Sequence, residues 1–287
     1  MEFWVPYSVR GGPLMRQMRA HEWGTRHANV NSSHMSTRTC IFCESPDVSL
    51  EHVWPKWLLK LLPDRRPLRQ KLIGRPESTF TGDFKIKCVC TTCNNGWMSD
   101  LERDSQHVMS LLAQDISIIL EPKYQTLIAE WALKIAILLE ATKPKDFPKF
   151  FDANDRKAFR LKRTFPNSVH IWAGRYADSG LFGGAADFGY FIRETGASGT
   201  GSVSTMVIGR LVLQVVAVKF PDDHPSVQVP MRASNWHLSL IQIYPKSDRT
   251  LTWPPVHSFH NQGGPLSLSE LKYRWNPTDD GSSEPHL

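Results

Sequence analysis

Apolar residues recur along the chain in two regimes, and the period changes near residue 165. Leu101, Val108, Leu111, Leu112, Ile116 and Ile119 fall at helix-compatible spacing, which predicts a helix from about Leu101 that Pro122 terminates. A second helix is predicted from about Tyr124 to Thr142. Leu127, Trp131, Leu133, Ile135, Leu138 and Leu139 make it apolar on several faces, so it should lie between layers, with Glu130, Lys134 and Glu140 at its surface. A shorter helix is expected around Asp152 to Lys162. Beyond it the pattern becomes β-branched and aromatic: Ser168 to Ala173, Phe188 to Arg193, Ser202 to Phe220 and Trp236 to Tyr244 read as strands. The long run from Ser202 is expected either to break at Gly209-Arg210 into two antiparallel strands or to bend there. The glycine-rich stretches Gly180 to Gly184 and Gly196 to Gly201 read as hairpin loops, and neither carries a phosphate-binding glycine signature.

The ends show no such periodicity. Residues 1–35 read as a disordered arm and 277–287 as a disordered tail. Between them the pattern divides into a segment 36–104, a helical segment 105–165 and a mainly antiparallel sheet domain 166–276. The class is α+β.

Composition adds constraints of compartment and partner. With 287 residues, 41% of them apolar and 22% charged, the chain can bury a sizeable core as one large domain or two ordinary ones. No uninterrupted apolar run approaches the roughly 18 to 20 residues of a membrane span. The opening Met1-Glu2-Phe3-Trp4 lacks the basic-then-apolar layout of a secretory signal, so a cytoplasmic protein is expected. A net charge of +6 tilts the expectation toward an anionic partner.

Cysteines carry the sharpest signal. Cys40/Cys43 and Cys90/Cys93 form two Cys-x-x-Cys pairs, and each short loop can turn two sulfurs toward one tetrahedral zinc ion. In a reducing compartment such pairs are metal ligands rather than disulfides. Cys88 precedes Cys90 by two residues and would share its face in an extended segment, which leaves it open as an alternative ligand. The simpler alternative is that some of the five are ordinary buried thiols.

Between the pairs stands Glu51-His52-Val53-Trp54-Pro55, and the second pair runs into Asn94-Asn95-Gly96-Trp97. With these residues the stretch from about 40 to 104 resembles the HNH endonuclease superfamily in its zinc-stapled, four-cysteine form. The resemblance implies a ββα-metal module over residues 36–104. It implies that His52 is the general base that activates water, since an imidazole can take a proton near neutral pH. It also implies that Glu51 and Asn94 ligate a catalytic magnesium or manganese ion, separate from the structural zinc. The family's middle Asn has no counterpart in Thr81 to Lys87, where Asp83 is the available substitute for orienting His52. A histidine shortly after Asn94 is also missing, and Asn95, Asp100 and Glu102 are the polar residues nearby.

Simpler roles exist for the same residues. Glu51 and His52 can buttress the turn before Pro55, Asn94 to Gly96 can form a helix-entry turn, and Trp54, Trp57 and Trp97 suit core packing. Lys56, Lys60, Arg65, Arg66, Arg69, Lys71 and Arg75 are opposed only by Asp64, so this stretch is expected either along a phosphate backbone or on a solvated face. His170, His224, His237, His257 and His260 show no ligand spacing. The expected function is metal-dependent hydrolysis of DNA phosphodiesters. The alternative is a catalytically silent module in which zinc organises a nucleic-acid or protein-binding surface.

Overall fold

The computed structural model describes residues 39–62, 68–70, 78–80, 84–143, 149–166, 169–192, 197–219, 240–245 and 248–260. Asp83, Arg65, Arg66, Lys71 and Arg75 lie outside the described residues, as do the expected arm and tail. Arg69 sits in a short strand β2 (Leu68–Gln70), which pairs antiparallel with β3 (Ser78–Phe80).

Strand β1 (Val48–His52) pairs antiparallel with β4 (Lys85–Cys90) and turns at Pro55 into a short helix α1 (Lys56–Leu61). Alternation along β1 sends Glu51 inward and leaves Leu50 exposed. The ladder register steps from Ser49–Val89 to Leu50–Lys87, so Cys88 is the extra residue of a β-bulge. After β4 come a single helical turn α2 (Thr91–Cys93), a π-helical turn at Asn94–Met98 and the helix α3 (Ser99–Ala113).

Helix α3 ends earlier than the apolar spacing predicts. Asp115 adopts the left-handed conformation at φ 64°, and the amides of Asp115 and Ile116 close back onto the carbonyls of Leu112 and Leu111, a Schellman-type stop. The Asp115 carboxylate then accepts from Arg175, with Arg210 at 3.8 Å. Ile119, expected on the helix, is instead an exposed residue of strand β5 (Ile118–Leu120), which pairs with β9 (Leu251–Trp253).

Helix α4 (Pro122–Ala141) is buried on nearly every side, as its apolar faces predict, and packs against α3 and the large sheet. The expectation that its charged residues face solvent fails for two of three. Glu140 is buried, accepting the backbone N–H groups of Phe150 and Phe151 with Lys143 Nζ at 3.4 Å. Lys134 is fully buried and ion-paired with Glu102 of α3. Charged groups can occupy such an interior because each has a partner. Glu130 is partly buried, 3.9 Å from Arg163. Helix α5 (Ala153–Lys162) begins with a capping box between Asp152 and Asp155.

The large sheet is a ribbon of two long antiparallel strands, β6 (Val169–Ile192) and β7 (Ala197–Lys219). Along the other edge of β6, β8 (Leu240–Tyr244) pairs antiparallel and β10 (Ser258–Phe259) pairs parallel. Gly180 to Gly184, read as a hairpin loop, lie inside β6. Of the stretch Gly196 to Gly201, residues 197–201 are β7 strand, with Gly199 and Gly201 paired to Tyr190 and Phe188, and Gly196 lies outside the described residues. The reason at Gly183 is a close approach: a Cβ there would come within 3.0 Å of the Trp54 ring. The run through Gly209 is one strand whose pairing is irregular at that point, not two. Gly209 sits at φ 58°, and an added Cβ would meet the Ala113 carbonyl oxygen at 2.4 Å.

The architecture is thus mixed helix and mainly antiparallel sheet, an α+β protein. One buried cluster runs from Cys40 and Cys90 through Met109 and Trp131 to Val215 and Trp253. The segments expected at 36–104, 105–165 and 166–276 therefore share a core, and α3 crosses the boundary at 104. Among the described residues no helix is long and apolar enough to cross a membrane.

Candidate metal and carboxylate site

A tight turn holds the first cysteine pair. The Cys40 amide donates to Ser45 O at 2.8 Å, Cys40 O accepts from the Glu44 amide at 2.8 Å, and Ile41 N reaches Cys88 O at 2.9 Å, fastening the turn to β4. The second pair straddles the start of α2, where Cys90 is extended and its sulfur accepts the Cys93 N–H at 3.4 Å. The ligand atoms of Cys40, Cys43, Cys90 and Cys93 all lie within 4.8 Å of one another, with Cys43 Sγ and Cys90 Sγ 3.4 Å apart. A tetrahedral ion with metal–sulfur bonds of about 2.3 Å separates its sulfurs by roughly 3.8 Å, so this donor set can hold one metal ion. Burial raises the Cys43 and Cys93 thiols. At Cys90 burial acts the same way, but the Cys93 N–H and the neighbouring sulfurs outweigh it and lower that thiol.

Cys88 is not among the four. The bulge takes it out of the alternation that would have aligned it with Cys90, and burial pushes its thiol up to about 12.

Helix α5 supports the thiol cluster from behind. Arg156 Nε donates to Ile41 O at 2.8 Å, and Arg156 also donates to Phe151 O. Trp97 packs edge-on against Phe42 and Phe159 at centroid distances of 4.9 and 5.9 Å. The Arg163 guanidinium lies 4.5 Å from the Trp97 ring centroid and donates to Trp97 O at 3.2 Å.

Beside the cysteines opens a cavity of about 240 Å³ lined by Glu51, His52, Pro55, Lys56, Trp57, Asn94 and Glu102. Glu51 and His52 are successive residues at the end of β1, Lys56 opens α1, and Asn94 follows the last cysteine directly. The structure therefore brings Glu51, His52, Asn94 and Lys56 to one opening. Lys60 is exposed on α1 and does not line it. Trp54 is buried, whereas Trp57 and Trp97 are partly buried against the core.

Glu51 as a whole is 4% exposed, and among the described residues its carboxylate has no hydrogen-bond or ion-pair partner. Burial pushes it up to about 7, the Lys134 ammonium opposing the rise and the Glu102 carboxylate adding to it. Lys134 Nζ stands 2.5 Å from Glu102 Oε1.

Sequence reasoning gave Glu102 no definite role at this opening and placed Lys134 on the surface. Glu102 follows Asn94 by eight residues, a separation that rotates an ordinary helix well past its starting face. The backbone between them is not one regular helix: Gly96 departs from helical geometry at φ −93°, ψ −115°, and this kink brings both residues to the opening where ideal-helix spacing would not. For Lys134 the signal was a single cation within an apolar stretch of α4. Comparison of the chain with protein-family models, with curated proteins and with solved structures returns no match.

Proposed function

We propose that the protein is a metal-dependent endonuclease of the HNH type that hydrolyses DNA phosphodiester bonds, with zinc in the four-cysteine cluster as a structural ion. The observation that carries this reading is the convergence of Glu51, His52 and Asn94 on one cavity next to that cluster. The Glu51 carboxylate and the Asn94 carboxamide offer the oxygen donors that a hard cation takes. Glu51 and Asn94 would hold magnesium or manganese, which when bound supplies charge stabilisation to the phosphoryl oxygens and the leaving oxygen. His52 takes the proton of the attacking water as general base. Lys56, on the rim, meets the phosphate backbone, and the exposed Lys60 extends that contact along α1.

The test uses supercoiled plasmid, purified full-length protein and magnesium or manganese. Parent protein nicks the plasmid, and His52→Ala reduces nicking by two orders of magnitude or more, in keeping with the weight of a general base. Equal background in both proteins would reject catalysis and leave a zinc-organised binding module.

A further inference from the structure

Glu102 and Lys134 lie outside the roles just assigned, yet both bear on the cavity. Glu102 lines the opening, and its side chain is 22% exposed. Lys134 has no exposed surface and engages only one of the two carboxylate oxygens, Oε1; among the described residues no partner bonds Oε2. This contact holds the Glu102 carboxylate in one orientation. Next to it is Glu51, nine-tenths buried and unpartnered among the described residues, lining the same cavity.

Ligand chemistry points to the occupant. The carboxylates of Glu51 and Glu102 and the carboxamide of Asn94 offer hard oxygen donors on one cavity, the donor type that magnesium or manganese takes. Resting on the endonuclease reading above, we propose that Glu102 is a third protein ligand of the cation held by Glu51 and Asn94, with Lys134 gripping its other oxygen. Asn94 then contributes from the turn after the cysteines, Glu102 from α3 beyond the kink at Gly96, and Glu51 from strand β1.

Binding of manganese alone tests this on the zinc-loaded full chain, read from the loss of the free-ion signal in electron paramagnetic resonance. The parent binds one equivalent, and Glu102→Gln weakens binding at least tenfold with zinc content and circular dichroism unchanged. Glu102→Gln leaves Lys134 buried without its partner, so the double variant Glu102→Gln/Lys134→Met serves as the second arm. Removal of the ammonium by itself favours a cation, so weakened binding in the double variant comes from Glu102. Parental affinity in both Glu102 variants, with Glu51→Gln weakened, overturns the assignment of Glu102 and leaves the endonuclease reading standing. No manganese bound by the parent overturns both.

Discussion

Lys134 is fully buried in a mostly apolar helix, and the energetics of its pair with Glu102 differ from those of the ion pairs on the surface. An exposed pair such as Arg103–Asp100, 2.8 Å apart, contributes about 1 kcal/mol or less because water screens it. Removing one partner of a buried pair strands the other, at a cost of roughly 3 to 5 kcal/mol. Because Glu102 keeps some exposure, Lys134→Met is expected near the lower bound, about 3 kcal/mol in urea unfolding of the zinc-loaded protein, against less than ~1 kcal/mol for Arg103→Ala. Equal losses in the two variants would contradict the distinction. Glu51, His52 and Asn94 were visible in the sequence because they flank cysteine pairs. Lys134 was not, because an apolar pattern says which positions are inside and cannot say that a cation among them has found a carboxylate thirty-two residues away.

Among the elements, α5 links local sequence to the thiol cluster most directly. Asp152 accepts the Asp155 N–H at 2.9 Å while Asp155 returns a bond to the Asp152 N–H, and Lys219 of β7 approaches Asp152 at 3.3 Å. The Asp155 N–H, followed by the Lys219 ammonium, holds the Asp152 carboxyl below its ordinary value of 3.8. A depressed carboxylate contributes stability above its unfolded pKa and loses it as pH falls through the folded one. Asp152→Ala should therefore cost about 1 kcal/mol near neutral pH, and the gap between variant and parent should narrow as pH falls from 3.8 through the lowered folded value. Paired urea midpoints near neutral pH and in acid check this, and a gap undiminished in acid would assign the loss to something other than the cap. The sequence predicted α4 and α5 nearly to the residue, since both are coded by neighbours within a few turns. It misled at Gly180 to Gly184, where the reason for glycine at Gly183 is the Trp54 ring, more than a hundred residues earlier in the chain. It overran α3 because Asp115 stops that helix by a left-handed turn that glycine more often supplies.

For the molecule as a whole, the four cysteines belong to the same buried cluster as Trp131, Val215 and Trp253. Metal loss is therefore expected to weaken the entire protein rather than fray one end. Cys90→Ala should abolish stoichiometric zinc by metal analysis and lower the Tm of the full chain, by roughly 6 to 12 °C if about 3 kcal/mol of binding energy is lost. Unchanged zinc content or an unshifted transition would reject the ligand assignment. The α+β class could be read from the switch in periodicity, whereas the shared core could not, because it depends on how α4 is sandwiched between α3 and the sheet. That sandwich limits what can be cut from the protein. A piece excised after residue 104 would carry all four cysteines with Glu51, His52 and Asn94, yet it would sever α3 and leave behind the lysine paired with Glu102. Moving this centre to another scaffold means transplanting α4 as well, so the unit of exchange is a helix pair on a sheet rather than a finger.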